Sequence, residues 1–306
     1  MVLKTIAVTG SSGMLGRHIA SRLKSDGFNV IPLTRSKTNN SSNSRNWDLT
    51  NFASNNELDS LFSDVEVVVH AGAAVPGLQN IYGNDELLNI NVVSVVNIAN
   101  WCRKNNIPLV YISGAIVYDD PNSQNIKESS QKGWSGLGEF YGLSKLLADD
   151  VLVREMKAGL KVSILRPSSI YGFGLRPDKI ITSFLSKISN NRPIILKQPI
   201  DDCIDFIHAA DVSSAISLVI KKEEWDVFNL SSGDCTSMID LANKCISVCG
   251  SGDLEISSEA ISNKPVSRFN LDNTLARDKL GWNAVIDLHA GIQSILNETI
   301  INLYDS

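Results

Sequence analysis

Eight residues near the start of the chain, Thr9-Gly10-Ser11-Ser12-Gly13-Met14-Leu15-Gly16, limit its fold more than any other feature. They follow a short apolar run, Thr5-Ile6-Ala7-Val8, and open a segment, Met14 to Ser25, whose apolar residues recur at helical spacing. A strand that turns at once into a helix needs glycine at the turn. Close approach of backbone to a pyrophosphate also needs glycine, because a Cβ would intrude. The helix N-terminus then presents free N–H groups and the positive end of its dipole to phosphate. Gly10, Ser12, Gly13, Met14, Leu15 and Gly16 are therefore the expected phosphate-side contacts of a bound dinucleotide.

The same rhythm continues downstream. Strand candidates are Thr5 to Thr9, Val30 to Thr34, Val65 to His70, Leu109 to Ser113 and Val162 to Arg166. Amphipathic helices are expected over Met14 to Ser25, Leu87 to Lys104 and Phe140 to Met156. Strand and helix in alternation predict an α/β fold with a Rossmann-like, doubly wound parallel sheet over residues 1–166. Beyond Arg166 the alternation is lost, and residues 167–306 are expected to form mainly a smaller C-terminal α/β substrate domain. A segment within residues 204–230, near Ile204 to Val212, is expected to return to the main sheet. Lys37 to Asn46, rich in Ser and Asn, is expected to be a loop.

With 306 residues the chain can bury a full core. Its net charge of -5 argues against a general affinity for nucleic acid. No apolar run approaches the ~20 residues that span a bilayer, and the N-terminus has the character of a strand and not of a secretory leader. A cytoplasmic protein with no membrane partner is expected. Cys102, Cys203, Cys235, Cys245 and Cys249 lack paired CxxC spacing and are expected to be reduced; four scattered histidines give no metal site.

Tyr141-Gly142-Leu143-Ser144-Lys145 puts a phenol and an ammonium on one face of a helix. Free tyrosine titrates near 10, and a neighbouring cation brings it towards neutral pH. Lys145 can also hold ribose hydroxyls, linking the acid to a nicotinamide cofactor.

The GxxGxxG spacing, together with the Tyr141–Lys145 pair, resembles the short-chain dehydrogenase/reductase superfamily. Leu165-Arg166-Pro167-Ser168-Ser169-Ile170-Tyr171-Gly172 and Asp205-Phe206-Ile207-His208-Ala209-Ala210-Asp211-Val212 resemble segments of its extended branch, as do Phe228-Asn229-Leu230 and Lys279-Leu280-Gly281-Trp282. That branch is the NAD-dependent epimerase/dehydratase family, which modifies nucleotide sugars. The resemblance implies that Asp48, with Leu49, lies at the adenine, that Ala71, Gly72 and Ala73 lie along the cofactor, and that Pro167 borders it. It also implies a homodimer formed through the catalytic helix and its neighbour.

Relatives carry an acid at the end of the second strand, where it meets the ribose hydroxyls of NAD; this chain has Thr34 followed by Arg35. A guanidinium there suits a 2′-phosphate, so NADP is expected, with NAD as the alternative. The family's catalytic hydroxyl stands four residues before the tyrosine of a Val-Tyr pair, and Gly114 occupies that place. Ser113, one position early, is the nearest hydroxyl, although strand alternation turns it to the other face unless the backbone bulges. Ser135, or a water on the substrate, could serve instead.

These departures bear on the reaction. Sugar 4,6-dehydratases carry an Asp-Glu pair where Ala115 and Ile116 stand here, and GDP-fucose-forming epimerase-reductases carry a Cys and a His where Ile116 and Gly174 stand. Neither reaction is expected. What remains is reduction of a 4-keto nucleotide sugar by NADPH with Tyr141 as general acid, or a NAD-dependent 4-epimerase. Ile204 replaces the Arg that binds the sugar diphosphate in relatives, with Arg176, Lys179, Arg192 and Arg268 as substitutes. This keeps a reductase of a non-nucleotide ketone or aldehyde open as a further alternative.

Overall fold

The computed structural model describes residues 3–35, 43–78, 80–120, 123–197, 199–261 and 268–300. In chain order the elements are β1 (Thr5–Thr9), α1 (Met14–Ser25), β2 (Asn29–Thr34), β3 (Arg45–Asn46), α2 (Asn55–Leu61), β4 (Val67–His70), α3 (Asn84–Leu88), α4 (Ser94–Asn105), β5 (Leu109–Ile112), α5 (Glu139–Lys157), β6 (Val162–Pro167) and β7 (Ser169–Tyr171). They continue with α6 (Ile180–Ser189), β8 (Ile194–Leu196), β9 (Cys203–His208), α7 (Ala209–Lys222), β10 (Val227–Leu230), β11 (Cys235–Ser237), α8 (Met238–Cys249), β12 (Leu254–Ile256), β13 (Arg268–Phe269), α9 (Thr274–Leu280) and α10 (Leu288–Leu296).

Seven parallel strands form the main sheet in the order β10-β6-β5-β4-β1-β2-β3. Continuous apolar runs suit strands covered on both faces, and every residue of β4 and β5 is buried. On one face Ile19 and Leu23 of α1 and Val212, Ile216 and Val219 of α7 pack against Ile6, Val8 and Val69. On the other, Leu58 of α2, Ile98 and Trp101 of α4 and Leu152 of α5 pack against Ala7, Val68 and Tyr111. Each such side chain contributes ~1.5–3 kcal/mol on full burial, so both helical layers are firmly seated and fix the loops at the strand ends. The chain reverses its winding between β1 and β4. This is the crevice where open α/β sheets bind ligands.

A third apolar cluster joins Tyr171, Ile181, Phe184, Phe206, Leu241 and Ile292, and holds α6, α8 and α10 around a smaller sheet made of β7, β9, β11 and β13.

Three expectations need correction and one gains detail. The returning segment is not Ile204 to Val212: β9 belongs to the smaller sheet, and the chain regains the main sheet through α7 and then β10, which pairs with β6. Within the expected loop Lys37 to Asn46, Arg45–Asn46 pairs with β2 as an edge strand, while residues 36–42 lie outside the described residues. The helix expected over Leu87 to Lys104 is present, with a π-helical turn, Asn89–Val93, between α3 and α4. Cys203 and Cys235 are disulfide-bonded, not reduced; antiparallel pairing of β9 with β11 brings their Cα atoms within 5.4 Å. Cys102, Cys245 and Cys249 are free thiols.

Candidate active site

β1, β2, β4, β5 and β6 all end on the same edge of the main sheet, so Thr9, Thr34, His70, Ile112 and Pro167 border one crevice. The glycine loop runs along it. Gly10 adopts φ +66°, and a Cβ there would lie 2.6 Å from Gly72 Cα, so the two glycines let β1 and β4 close together at the switch point. A Cβ on Gly16 would lie 2.1 Å from the Gly10 carbonyl oxygen, which presses the first turn of α1 onto the loop. No side chain caps α1 at Gly13, while Ser12 and Gly13 are exposed and Met14 and Leu15 are half-buried. An open helix N-terminus beside a backbone-lined cradle fits a pyrophosphate. Leu49 rests on Gly72, since a Cβ there would meet its Cδ1 at 2.5 Å, and Ala71 and Ala73 flank that contact. The Asp48 carboxylate accepts from the Thr50 backbone N–H at 3.1 Å. Thr34 is buried at the end of β2, and Arg35 beyond it is exposed.

Tyr141 and Lys145 share α5, one turn apart, as their spacing requires. Their partners differ from expectation. Lys145, 3% exposed, donates to the Tyr111 hydroxyl at 2.9 Å and to the Ile112 carbonyl at 2.6 Å. Burial pulls its pKa down to about 7, with the Asp149 carboxylate opposing. Burial pushes Tyr141 up to about 12, and the cation that works against this is Arg176, not Lys145. Arg176 itself reaches across the crevice: its guanidinium donates to the Val75 and Pro76 carbonyls at 2.6 and 2.7 Å and pairs with Asp178. Gly77 carries no side chain beneath this contact, where a Cβ would lie 2.4 Å from Arg176 Nη2.

Ser113 faces α5, where it donates to Asp149 Oδ2 at 2.6 Å, one turn beyond Lys145. Asp149 also takes a bidentate pair from Arg166 at 2.7 and 3.0 Å and an ammonium from Lys132 at 2.7 Å, and these cations hold its carboxyl below the usual range despite burial. Arg166 continues to the Tyr118 hydroxyl at 3.0 Å, and Tyr118 donates to Asn229 at 2.6 Å. Ser135 is exposed, its oxygen accepting from Leu137 N–H. Gly114, at φ 173° and ψ 161°, is extended, and a Cβ there would meet only Ile116 Cγ2, at 3.8 Å.

Of the cations considered for a diphosphate, Arg176 is engaged as described, and Lys179 stands at the N-terminal boundary of α6 with no side-chain hydrogen bond to the helix. Arg268 pairs in register with Cys203, so it stands on the sheet face opposite Ile204 and cannot replace the missing side chain there.

The sequence profile of the NAD dependent epimerase/dehydratase family matches residues 6–231. The chain belongs to this family. A putative UDP-glucose 4-epimerase of Methanocaldococcus jannaschii is 29% identical over 312 residues, covering 95% of this chain and 97% of that one. A dTDP-D-glucose 4,6-dehydratase of Dictyostelium discoideum is 24% identical, covering 81% of this chain and 63% of its own length. Among solved structures, UDP-N-acetylglucosamine 4-epimerase from Bacillus cereus aligns at TM-score 0.81 and 25% identity, with 95% of each chain covered. MoeE5 in complex with UDP-glucose and NAD aligns at TM-score 0.81 and 22% identity, covering 96% of this chain and 98% of that one, a likeness of fold.

Sequence reasoning missed Asn91, Tyr111 and Asp149. The π turn between α3 and α4 aims Asn91 at the loop after β4, where it bonds both polar groups of the Ala74 backbone at 2.8 and 3.0 Å and the Ser144 hydroxyl at 3.0 Å. A signal existed for Asp149: it stands at i+4 from Lys145 on the face that α5 buries.

Proposed function

We propose that this chain is a NAD-dependent nucleotide-sugar 4-epimerase acting on a UDP-hexose. The observation that carries the reading is that the acid/base chemistry at the crevice falls to one oxygen, that of Tyr141. Ala115 and Ile116 supply no second acid at the turn after β5. Inverting a carbinol centre needs one proton taken and the same proton returned, which a single phenol can do; eliminating water needs a further acid/base. The similarity to 4-epimerases over nearly the whole chain supports the same reading.

The glycine loop, Leu49 and the Gly72 turn would hold the dinucleotide, with Asp48 at its adenosine end and Lys145 at its ribose. A bound nicotinamide supplies hydride exchange with the carbinol carbon, chemistry that no side chain of this protein carries. Tyr141, protonated at neutral pH with its pKa pushed up to about 12, is set as a proton donor to a substrate oxygen. Arg176 favours its phenolate when the proton must be taken instead. A second reading, an NADPH-dependent 4-keto-sugar reductase, is favoured by Arg35 alone, exposed at the end of β2.

Purified protein given UDP-glucose and NAD should form UDP-galactose, resolved by ion-exchange chromatography. Tyr141→Phe should lower turnover at least ~100-fold while leaving the thermal shift with NAD in place. No epimerisation, with oxidation of NADPH on a 4-keto nucleotide sugar, would overturn the epimerase in favour of the reductase.

A further inference from the structure

Lys145 is anchored by residues that no motif of the chain pointed to. Its ammonium donates to the Tyr111 hydroxyl at 2.9 Å and lies 4.5 Å from the centre of the Tyr111 ring, so the same side chain offers it a lone pair and a π face. Tyr111 is 1% exposed, in the middle of β5 and the main sheet. Its ring stacks on His70 at 5.9 Å with 16° between planes. His70 Nδ1 meets the Thr9 hydroxyl at 2.7 Å, and the Thr9 oxygen accepts from Gly72 N–H at 3.2 Å. A contact chain therefore runs from the last residue of β1, where the glycine loop begins, through β4 and β5 to the ammonium on α5.

We propose that Tyr111 is the positioning residue for Lys145: it holds the ammonium at the end of β5 and keeps it charged inside the sheet, in register with the glycine loop through His70 and Thr9. This rests on Lys145 belonging to the oxidoreductase site proposed above. An ammonium stripped of water survives only if partners replace the lost hydration. The Ile112 carbonyl supplies one and Tyr111 supplies two, a hydroxyl oxygen and a ring. The other titratable groups facing it are His70 from β4 and Asp149 from its own helix, while Tyr141 of that helix faces Tyr111. His70 is kept neutral by burial and by Lys145 itself, its pKa pushed down to about 3, so it adds no opposing charge. Asp149 favours the ammonium but is shared with Arg166 and Lys132. Tyr111, raised well above the ordinary tyrosine range by burial, stays a neutral phenol.

The test compares wild type with Tyr111→Phe, which keeps the ring and the packing and removes only the oxygen. In protein labelled with 13C-lysine and free of cofactor, the Lys145 ε-carbon resonance, assigned by its loss in Lys145→Arg, should titrate about one pH unit lower in Tyr111→Phe. The alkaline limb of the UDP-glucose turnover profile should move down by a similar amount, with kcat changed more than KM. A merely structural tyrosine would lower the melting temperature and leave the Lys145 midpoint in place. An equal midpoint in the two proteins overturns the proposal. Failure of the wild type itself to turn over UDP-glucose overturns the epimerase reading instead, and the NMR comparison still decides the role of Tyr111.

Discussion

Where the family resemblance implies a hydroxyl beside the reacting oxygen, residue 114 is glycine. The backbone there is extended and a Cβ would make only one ordinary contact, with Ile116, so steric need does not explain the residue. Ser113, the neighbouring hydroxyl, donates its proton to Asp149. Gly114→Ser should therefore fold with a stability change within ~0.5 kcal/mol, as a substitution without a clash does. If the reaction lacks a hydrogen bond to the substrate oxygen, the new hydroxyl should raise kcat by ~10-fold, read from initial rates under saturating NAD. An unchanged or lower rate in a stably folded variant would show that this substrate needs the space itself. Tyr141, Lys145 and the absent hydroxyl were all legible in the sequence, because each rests on spacing within one helix or one turn. The partners of Lys145 were not legible, because they come from β5, a strand its own helix does not contain.

At the scale of elements, the glycine loop is the part most tightly constrained by its neighbours. Gly10 meets both demands that exclude a side chain, a left-handed φ of +66° and backbone contact with Gly72. Gly27 shares only the first, with φ +83° and no atom within 4 Å of the place a Cβ would take. Gly10→Ala should thus cost ~2–3 kcal/mol and abolish the thermal shift with NAD, whereas Gly27→Ala should cost ~1 kcal/mol and leave that shift intact, with both stability costs measured by urea unfolding. Equal costs would show that Gly72 moves aside easily. Helix α5 illustrates how far local reading reaches. Its bounds were expected within a residue or so, and the Tyr141–Lys145 face is as its period requires. Yet its buried Asp149, gathered with Arg166, Lys132 and Ser113 from three other parts of the chain, defines how the helix sits against β5 and β6.

For the whole molecule, buried titratable groups set the pH range of stability. His70 and His208 are held neutral by burial, each with its pKa lowered from 6.5 to about 3. Below about 6.5 the unfolded chain binds protons that the folded one refuses, so each histidine lowers stability by up to ~1.4 kcal/mol per pH unit as pH falls towards 3. Asp211 opposes this. Burial raises it from 3.8 to about 6, so between those values the folded state binds the extra proton and gains stability on acidification. His18 is lowered in the same sense as the two histidines, and Asp205 and Glu128 are raised like Asp211. The shifts of His70 and His208, each larger than that of Asp211, leave a net loss, and the melting temperature should fall from pH 7 to pH 4. His208→Gln should flatten that slope; an unchanged slope would mean that other groups govern the acid limb.

By itself the sequence determined what depends on neighbours along the chain: a glycine loop whose Gly10 and Gly16 leave no room for a Cβ, strands marked by apolar runs, a helix carrying phenol and ammonium on one face, and a glycine at residue 114. These follow from sterics and periodicity within short stretches of chain. Tertiary structure decided the rest, because register across a sheet joins segments that share no local signal. Pairing of β9 with β11 joined Cys203 to Cys235, and pairing of β10 with β6 chose which segment came back to the main sheet. Packing of α5 on β5 gave Lys145 to Tyr111 and Ser113 to Asp149.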